Sequence, residues 1–568
     1  MELRHRGFAG LIRSVAVLVA VLLLAPATAA AQDPKLPASP TTPPPFFEHS
    51  AKQVERIAER AQKVRAARRD GPLDPTAYTR GVGRWQVSFF RDGKELVQVQ
   101  VDDKSGAILE QWSGNQVAWR MARGYPGAFG RKLNAPYVWI PLCVLFLLPF
   151  VDFRRPLRLL HLDLLVLLGF GASHVFFNRG EIGVSVPLVY PVLLYLLART
   201  LLAGLRPRER PGRLVPHLSL AVLAVALVSL VAFRVALNVI DSNVIDVGYA
   251  GVIGADRIAD GDQLYGNGFS EDVGKGDTYG PVNYLLYVPF EQTMRWSGRW
   301  DNLPAAHAAA IAFDLLTIGV LMLLGRALRP GREGTALGVA LAYAWTAYPY
   351  TAFALETNSN DTLVALSCAC ALLAFARRSS AATGVAVGLG AAAKFAPLAL
   401  APLFARRRPL VFALALVLTL AVTVLPFIPD GGLRELYDRT LGYQAGRGSP
   451  FSVWGQADLD WLQTIVKAAA LGLALLVAFV PRRPDNRQVA ALGAAVLIAL
   501  QLPVNHWFYL YVVWFVPFVL VTVFGAYRAT SPPAPAAGES TGRAHPSRPP
   551  PVPRSATGPH PTSRSAPA

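Results

Sequence analysis

The sequence predicts an all-α polytopic membrane protein with a small α+β module on its N-terminal side. Three observations predict it. Of 568 residues, 53% are hydrophobic and only 16% charged, against about 25% charged in a typical soluble chain. The apolar residues gather in about eleven runs, each close to the roughly 20 residues that a helix needs to cross a bilayer. Between the runs, arginines collect in short clusters.

Residues 1–31 read as a signal peptide or signal anchor. Arg4, Arg6 and Arg13 precede the apolar stretch Val15 to Leu24, and Ala27-Thr28-Ala29 or Ala29-Ala30-Ala31 supplies the small-residue cleavage pattern. Residues 32–50 are a Pro-rich linker. Residues 51–121 predict the small extracytoplasmic module. Ala51 to Arg69 has helical spacing, with Val54, Ile57, Ala58, Ala61 and Val64 on one stripe. Three alternating strands follow at 85–90, 95–101 and 107–112, separated by turns at Asp92-Gly93 and Lys104-Ser105-Gly106. With its hairpin from Val101 to Leu109, this segment resembles a PepSY-like module. The resemblance implies a binding or regulatory unit; an inert spacer fits the same residues.

The membrane part begins near Tyr137. Spans are expected near 137–153, 159–176, 182–203, 214–237, 304–325, 335–355, 360–376, 409–428, 461–480, 488–503 and 507–527. Those within 137–213 form an accessory group, and 214–527 the main body. With the mature N-terminus outside, the inside loops hold Arg154-Arg155, Arg206 to Arg213, Arg326 to Arg332, Arg377-Arg378, Arg406 to Arg408 and Arg482-Arg483. Every one is basic, as the positive-inside bias requires. The same bias accounts for much of the net charge of +18. No basic face interleaved with aromatics supports a nucleic-acid partner. Cys143, Cys368 and Cys370 lie within apolar runs and read as small buried hydrophobes. The tail, 528–568, is rich in Pro, Ser and Ala and is expected to be disordered and cytoplasmic.

One segment breaks the alternation. Residues 380–405 lie between two basic clusters on the same side and are too few for two full spans. A hairpin of two half-length helices is expected, with Lys394 near its tip. Charge at that depth survives only when buried in protein or facing a wet cavity.

Polar groups converge at the outer ends of the expected helices. One outer loop, from Asn238 to about Asn302, carries Asp241, Asp246, Asp256, Asp260, Asp262, Glu271, Asp272 and Asp277. Asp256, Asp260 and Asp262 lack the full spacing of a Ca²⁺ loop, so no metal and no cofactor is expected. The other groups are Asp277 to Asn283, Glu356 to Asp361, Arg447 to Trp454 in the second outer loop (about 429–460), and Asn505-His506-Trp507.

Over about 214–527 the sequence resembles the GT-C superfamily of integral membrane glycosyltransferases. Within it, the likeness is to glycosyltransferase family 87 and related polyprenyl-phosphate-mannose-dependent enzymes. The pattern is carried by Ile245-Asp246-Val247-Gly248-Tyr249, Asp260 to Gly266, Tyr279-Gly280-Pro281, the Asn358 to Asp361 turn, Lys394-Phe395-Ala396-Pro397 and Trp507 to Pro517. The resemblance implies transfer of a sugar, mannose or arabinose, from a polyprenyl-phosphate donor to an extracytoplasmic lipid, glycan or protein acceptor. Inverting transfer needs a base for the acceptor hydroxyl, and cations or hydrogen-bond donors for the departing phosphate. Asp246 is the expected base, with Asp241 as the second candidate. Lys394 and Arg447 are expected at the phosphate. Tyr249, Tyr279, Glu356, Asn360, Asp361 and His506 complete the candidate substrate-binding set. Two other classes fit parts of the pattern: a transporter or flippase of lipid-linked glycans, since intramembrane polar residues suit transporters, and a non-catalytic cell-envelope scaffold.

Overall fold

The computed structural model describes residues 34–528 apart from 126, 128, 267–268, 270–274 and 299–302. The expected signal segment, nearly all of the tail, and Glu271 and Asp272 lie outside the described residues.

The N-terminal module opens with two helices, α1 (Ala51–Ala58) and α2 (Gln62–Arg68), where one continuous helix was expected. Four strands follow: β1 (Asp74–Thr79), β2 (Arg84–Arg91), β3 (Lys94–Asp102) and β4 (Ile108–Ser113), paired antiparallel in chain order. β1 escapes the sequence pattern because only Ala77 of its six residues is buried. Pro75 is tolerated there because β1 is an edge strand. The β2–β3 register sets Trp85 opposite Val101, Val87 opposite Val99 and Phe89 opposite Val97. All six side chains therefore share one face, and Val54, Ala58 and Val64 of the helices cover it. Buried Asp103 accepts from the Trp85 indole N–H at 2.7 Å and from the Glu48 and His49 N–H groups at 2.6 and 3.1 Å.

The module docks through the stretch that follows β4. Asn115 Nδ2 donates to the Gly180 carbonyl (3.0 Å) and Gln116 Nε2 to that of Asn178 (3.0 Å). The chain then runs across the bundle's end, with Trp119 edge-on to Phe451 and the Gly130 N–H donating to Asn243 Oδ1 (2.7 Å).

The rest is mainly helical, its longer and site-forming helices being α3 (Pro136–Leu147), α4 (Leu159–Phe177), α5 (Ile182–Leu205), α6 (Leu220–Asp241), α7 (Asp246–Asp260), α8 (Pro281–Leu285), α9 (Val288–Thr293), α10 (Pro304–Leu328), α11 (Gly331–Ala347), α12 (Pro349–Glu356), α13 (Asp361–Ala376), α14 (Ser380–Ala393), α15 (Pro409–Val424), α16 (Asp460–Leu476), α17 (Asn486–Gln501) and α18 (Val512–Phe524). Every expected span contains one of these helices. Among the described residues α4, α5, α6, α10 and α15 with its terminal turn are individually long and apolar enough to cross a membrane. α15 leaves Leu410, Leu414, Val417, Leu418 and Val422 exposed, a face suited to a lipid environment. This is a membrane protein.

Two helical boundaries depart from expectation. The segment 335–355 splits into α11 and α12 at Tyr348, which is extended, as the residue before Pro349 prefers to be. The 380–405 hairpin is asymmetric. α14 rises through 14 residues, about 21 Å. The return limb is a 3₁₀ turn, Ala396–Leu400, and one α-turn, Ala401–Phe404, because Pro397 and Pro402 cannot donate to a regular helix.

Two buried ion pairs lie inside the bundle. Arg234 pairs with Asp314 at 2.9 Å, and the Trp345 indole N–H donates to the same oxygen at 2.8 Å. Arg199 pairs with Asp163 at 2.9 Å. The bundle has two unlike ends. At one, Arg158 bonds the Arg213 carbonyl, Arg329 those of Gly525 and Tyr527, and Arg487 that of Arg208. At the other lie the 178–180, 242–245, 356–360 and 502–508 turns, together with the N-terminal module.

A candidate active-site recess at the module end of the bundle

The recess begins where α6 gives way to α7. The Asn243 and Ile245 N–H groups donate to the carbonyls of Glu356 and Thr357, both at 3.2 Å. Asn358, in the left-handed region at φ +50°, donates from Nδ2 to Ser242 Oγ and the Asn243 carbonyl, each at 3.0 Å. Asparagine tolerates that backbone better than most residues. The first turn of α7 is thereby stitched to the 356–358 turn. Gly248 permits the approach, since a Cβ there would overlap the Asn358 carbonyl oxygen. Asp246 is thus fixed as the first residue of α7, where its Oδ1 accepts from the adjacent Val247 N–H at 3.0 Å.

The opposite wall is the Thr278–Pro281 turn. The Gly280 N–H donates to the Ala393 carbonyl at 3.1 Å, and a Cβ at 280 would overlap the Ala392 carbonyl oxygen. Only glycine lets this turn seat on the end of α14. Pro281 then starts α8, a position where its missing N–H costs nothing. The Tyr265 hydroxyl donates to the Tyr279 carbonyl (2.7 Å). Arg439 holds the preceding segment, pairing with buried Asp277 at 2.9 Å and donating to the Gly266 carbonyl at 2.6 Å.

Lys394 closes the floor. It follows the last residue of α14, and its Nζ lies 2.6 Å from Asp361 Oδ1. The same oxygen accepts from the Trp514 indole N–H at 2.8 Å, and the Ser359 hydroxyl donates to Oδ2. Asp361 is the first residue of α13, so the positive end of the helix dipole adds to its stabilisation. The Lys394 ammonium sits 5.2 Å from the Tyr279 ring centroid and 5.6 Å from that of Trp514, within cation–π range.

Asp246 faces this floor. Arg447, Lys394 and Asp361 all act electrostatically on its carboxyl, and Asp246 and Asp361 both act on the Tyr279 and Tyr511 hydroxyls. Asp246 is solvent-accessible, yet desolvation is the largest influence on it and raises its pKa. The Arg447 and Lys394 charges oppose that rise, and the Asp361 charge adds to it. A carboxylate with a raised pKa is a stronger base than an ordinary aspartate.

The sequence candidates separate into three groups. Asp246, Tyr279, Asp361, Lys394 and Arg447 come together. His506 borders them: burial, then the nearby Arg447 charge, push its pKa down to about 3. Its Nδ1 lies 2.8 Å from Ser449 Oγ, which also accepts from the Phe451 N–H. Asn360 borders them too, donating from Nδ2 to Asn283 Oδ1 at 2.7 Å. Asn360 Oδ1 and Asn283 Nδ2 are buried without a protein partner. The remaining three lie elsewhere. Asp241 ends α6 and receives the Lys132 N–H at 3.3 Å; Tyr249 is buried in a core, edge-on to Trp296; Glu356 is fully buried, with neither carboxyl oxygen hydrogen-bonded.

Four contributors escaped the candidate set: Asn283, Arg439, Tyr511 and Trp514. Asn283 closes the noted 277–283 motif, which signals it. Tyr511 and Trp514 lie one turn apart in an apolar run, where aromatics read as core.

No curated protein matches this chain. Residues 278–540 match the model of glycosyltransferase family 87. That stretch contains Tyr279, Asn283, Asn360, Asp361, Lys394, Arg447, His506 and Trp514; Asp246 and the N-terminal module precede it. From Thr278 onward, the membrane body of this chain is therefore similar to glycosyltransferase family 87, a family of membrane glycosyltransferases.

Proposed function

We propose that the chain transfers a sugar, mannose or arabinose, from a polyprenyl-phosphate donor to a lipid, glycan or protein acceptor on the extracytoplasmic side of the cell membrane. The observation that carries this reading is the pairing of an accessible, desolvated carboxylate, Asp246, with two cations from separate elements, Lys394 and Arg447. In this scheme the acceptor hydroxyl attacks the anomeric carbon as Asp246 takes its proton, and the C–O bond to the lipid phosphate breaks on the opposite side, inverting the centre. Lys394 is already engaged by Asp361. Among the described residues Arg447 makes no salt bridge of its own, which suits it to the leaving phosphate through bidentate contacts. Asn283 Nδ2 and Asn360 Oδ1 offer a donor and an acceptor for sugar hydroxyls. The arginine clusters, gathered at the end away from the recess, support an external site.

The test is incubation of the purified full-length protein with labelled polyprenyl-phosphate mannose or arabinose and a membrane lipid extract. Release of free polyprenyl phosphate with label in a new product is expected, and Arg447→Ala should raise KM for the donor. Turnover of a nucleotide sugar without any lipid-linked donor would overturn the reading.

A further inference from the structure

The arginine-rich end holds a second constellation, unconnected to the recess. A cleft of about 280 Å³ is lined by Arg155, Arg158, Arg208 and Arg210 with Glu209 and Tyr527. Glu209 is engaged by Arg528 at 3.2 Å. Arg158 is the buried member, its side chain 8% exposed. Its guanidinium lies over the Tyr527 ring at 4.5 Å and donates from Nη2 to the Arg213 carbonyl at 3.2 Å. Its Nη1 has no hydrogen-bond partner and stands 3.8 Å from Asp152 Oδ2. A second cleft of similar volume adjoins the first across the 151–158 turn. It is mainly apolar and is lined by Leu147, Val151, Phe153, Leu164 and Leu165 with Asp152 and His161. At the turn between them Leu157 and Phe153 are 98% and 73% exposed.

We propose that these adjoining clefts form a binding site for one anionic phospholipid, its phosphodiester among Arg155, Arg158, Arg208 and Arg210 and an acyl chain along the apolar cleft between α3 and α4. The four guanidinium groups exceed the local carboxylates, and planar guanidinium pairs match phosphate oxygens. Nη1, 3.8 Å from Asp152 Oδ2 but without a hydrogen bond, keeps a buried donor for a phosphate oxygen. The apolar cleft favours a lipid over a free anion, because inorganic phosphate has nothing to place there. Basic pockets at helix ends next to a bilayer surface are suited to lipid headgroups in this way.

The test uses the full-length protein in detergent, titrated with phosphatidylglycerol and followed by native mass spectrometry, with phosphatidylcholine, glycerol phosphate and inorganic phosphate as comparison probes. Phosphatidylglycerol should bind in preference to phosphatidylcholine. The Arg155→Ala/Arg210→Ala variant, which spares the buried Arg158, should weaken it by about fivefold per arginine without changing phosphatidylcholine retention. Glycerol phosphate and inorganic phosphate should fail to displace it at equal concentration. Unchanged phosphatidylglycerol binding in the double variant would overturn the proposal, as would equal competition by either water-soluble phosphate, which would mark a plain anion site.

Discussion

Two carboxylates share the recess, and replacing each by its amide separates a reacting group from a supporting one. Among the described residues Asp246 accepts one hydrogen bond, from its neighbour's N–H, which an asparagine oxygen preserves. The substitution loses the charge–dipole interaction at the start of α7, about 0.3–1 kcal/mol, and gains relief from desolvating an anion. The sign follows from linkage. A carboxyl with a raised folded-state pKa contributes stability below its ordinary value of 3.8 and loses that contribution as pH rises through the raised value. At neutral pH, Asp246→Asn should therefore melt within about 1 kcal/mol of wild type, or slightly higher. Asp361→Asn removes the counter-charge of buried Lys394, which sits 2.6 Å away; breaking such a pair costs about 3–5 kcal/mol. Transfer should fall by about 10² to 10⁴ in Asp246→Asn, the worth of a general base. The assays are thermal melting in detergent and release of polyprenyl phosphate from labelled donor. Wild-type activity should also fall with acidification at a pH above the ordinary aspartate range, because only the ionised carboxyl accepts a proton. An Asp246→Asn protein that keeps its turnover, or melts as early as Asp361→Asn, refutes the assignment.

Gly280→Ala should cost about 1–3 kcal/mol by overpacking and lift Tyr279 from Lys394. Donor turnover should drop at least about tenfold, one power of ten for each 1.4 kcal/mol of misalignment; unchanged turnover would show that the turn is free to move. His506 is neutral when folded, with its pKa near 3, so its contribution to stability is present above 6.5 and is lost as pH falls toward 3. Melting curves at pH 7 and pH 4 should show wild type losing more on acidification than His506→Gln. In the module, Asp103→Ala strands the Trp85, Glu48 and His49 donors. Local opening should become easier by about 3 kcal/mol, read as faster amide exchange across β2 and β3.

The helices were legible because a bilayer demands long apolar runs, and the runs are written one after another in the chain. The small sheet was legible where apolar and polar residues alternate, as along β2 and β3, and illegible at β1, where Ala77 alone is buried. In the recess, the residue types were readable but their partners were not. Asp361 reads as a substrate-binding candidate in an outer turn; nothing local reveals that Lys394 and Trp514 both converge on one of its oxygens. Asp241 read as a loop carboxylate because the periodicity of α6 fades near Leu237, yet the helix continues through Asp241 and turns that side chain toward Lys132. Glu356 read as a ligand for sugar and is instead sealed beneath the turn.

The spacing of the recess residues along the chain has a consequence for biogenesis. Lys394 follows Asp361 by 33 residues, so a nascent hairpin can enter the bilayer with its charge already neutralised. Trp514 emerges only 153 residues after Asp361. A polypeptide released before α18 therefore has Lys394 matched by Asp361 yet lacks the Trp514 wall of the recess.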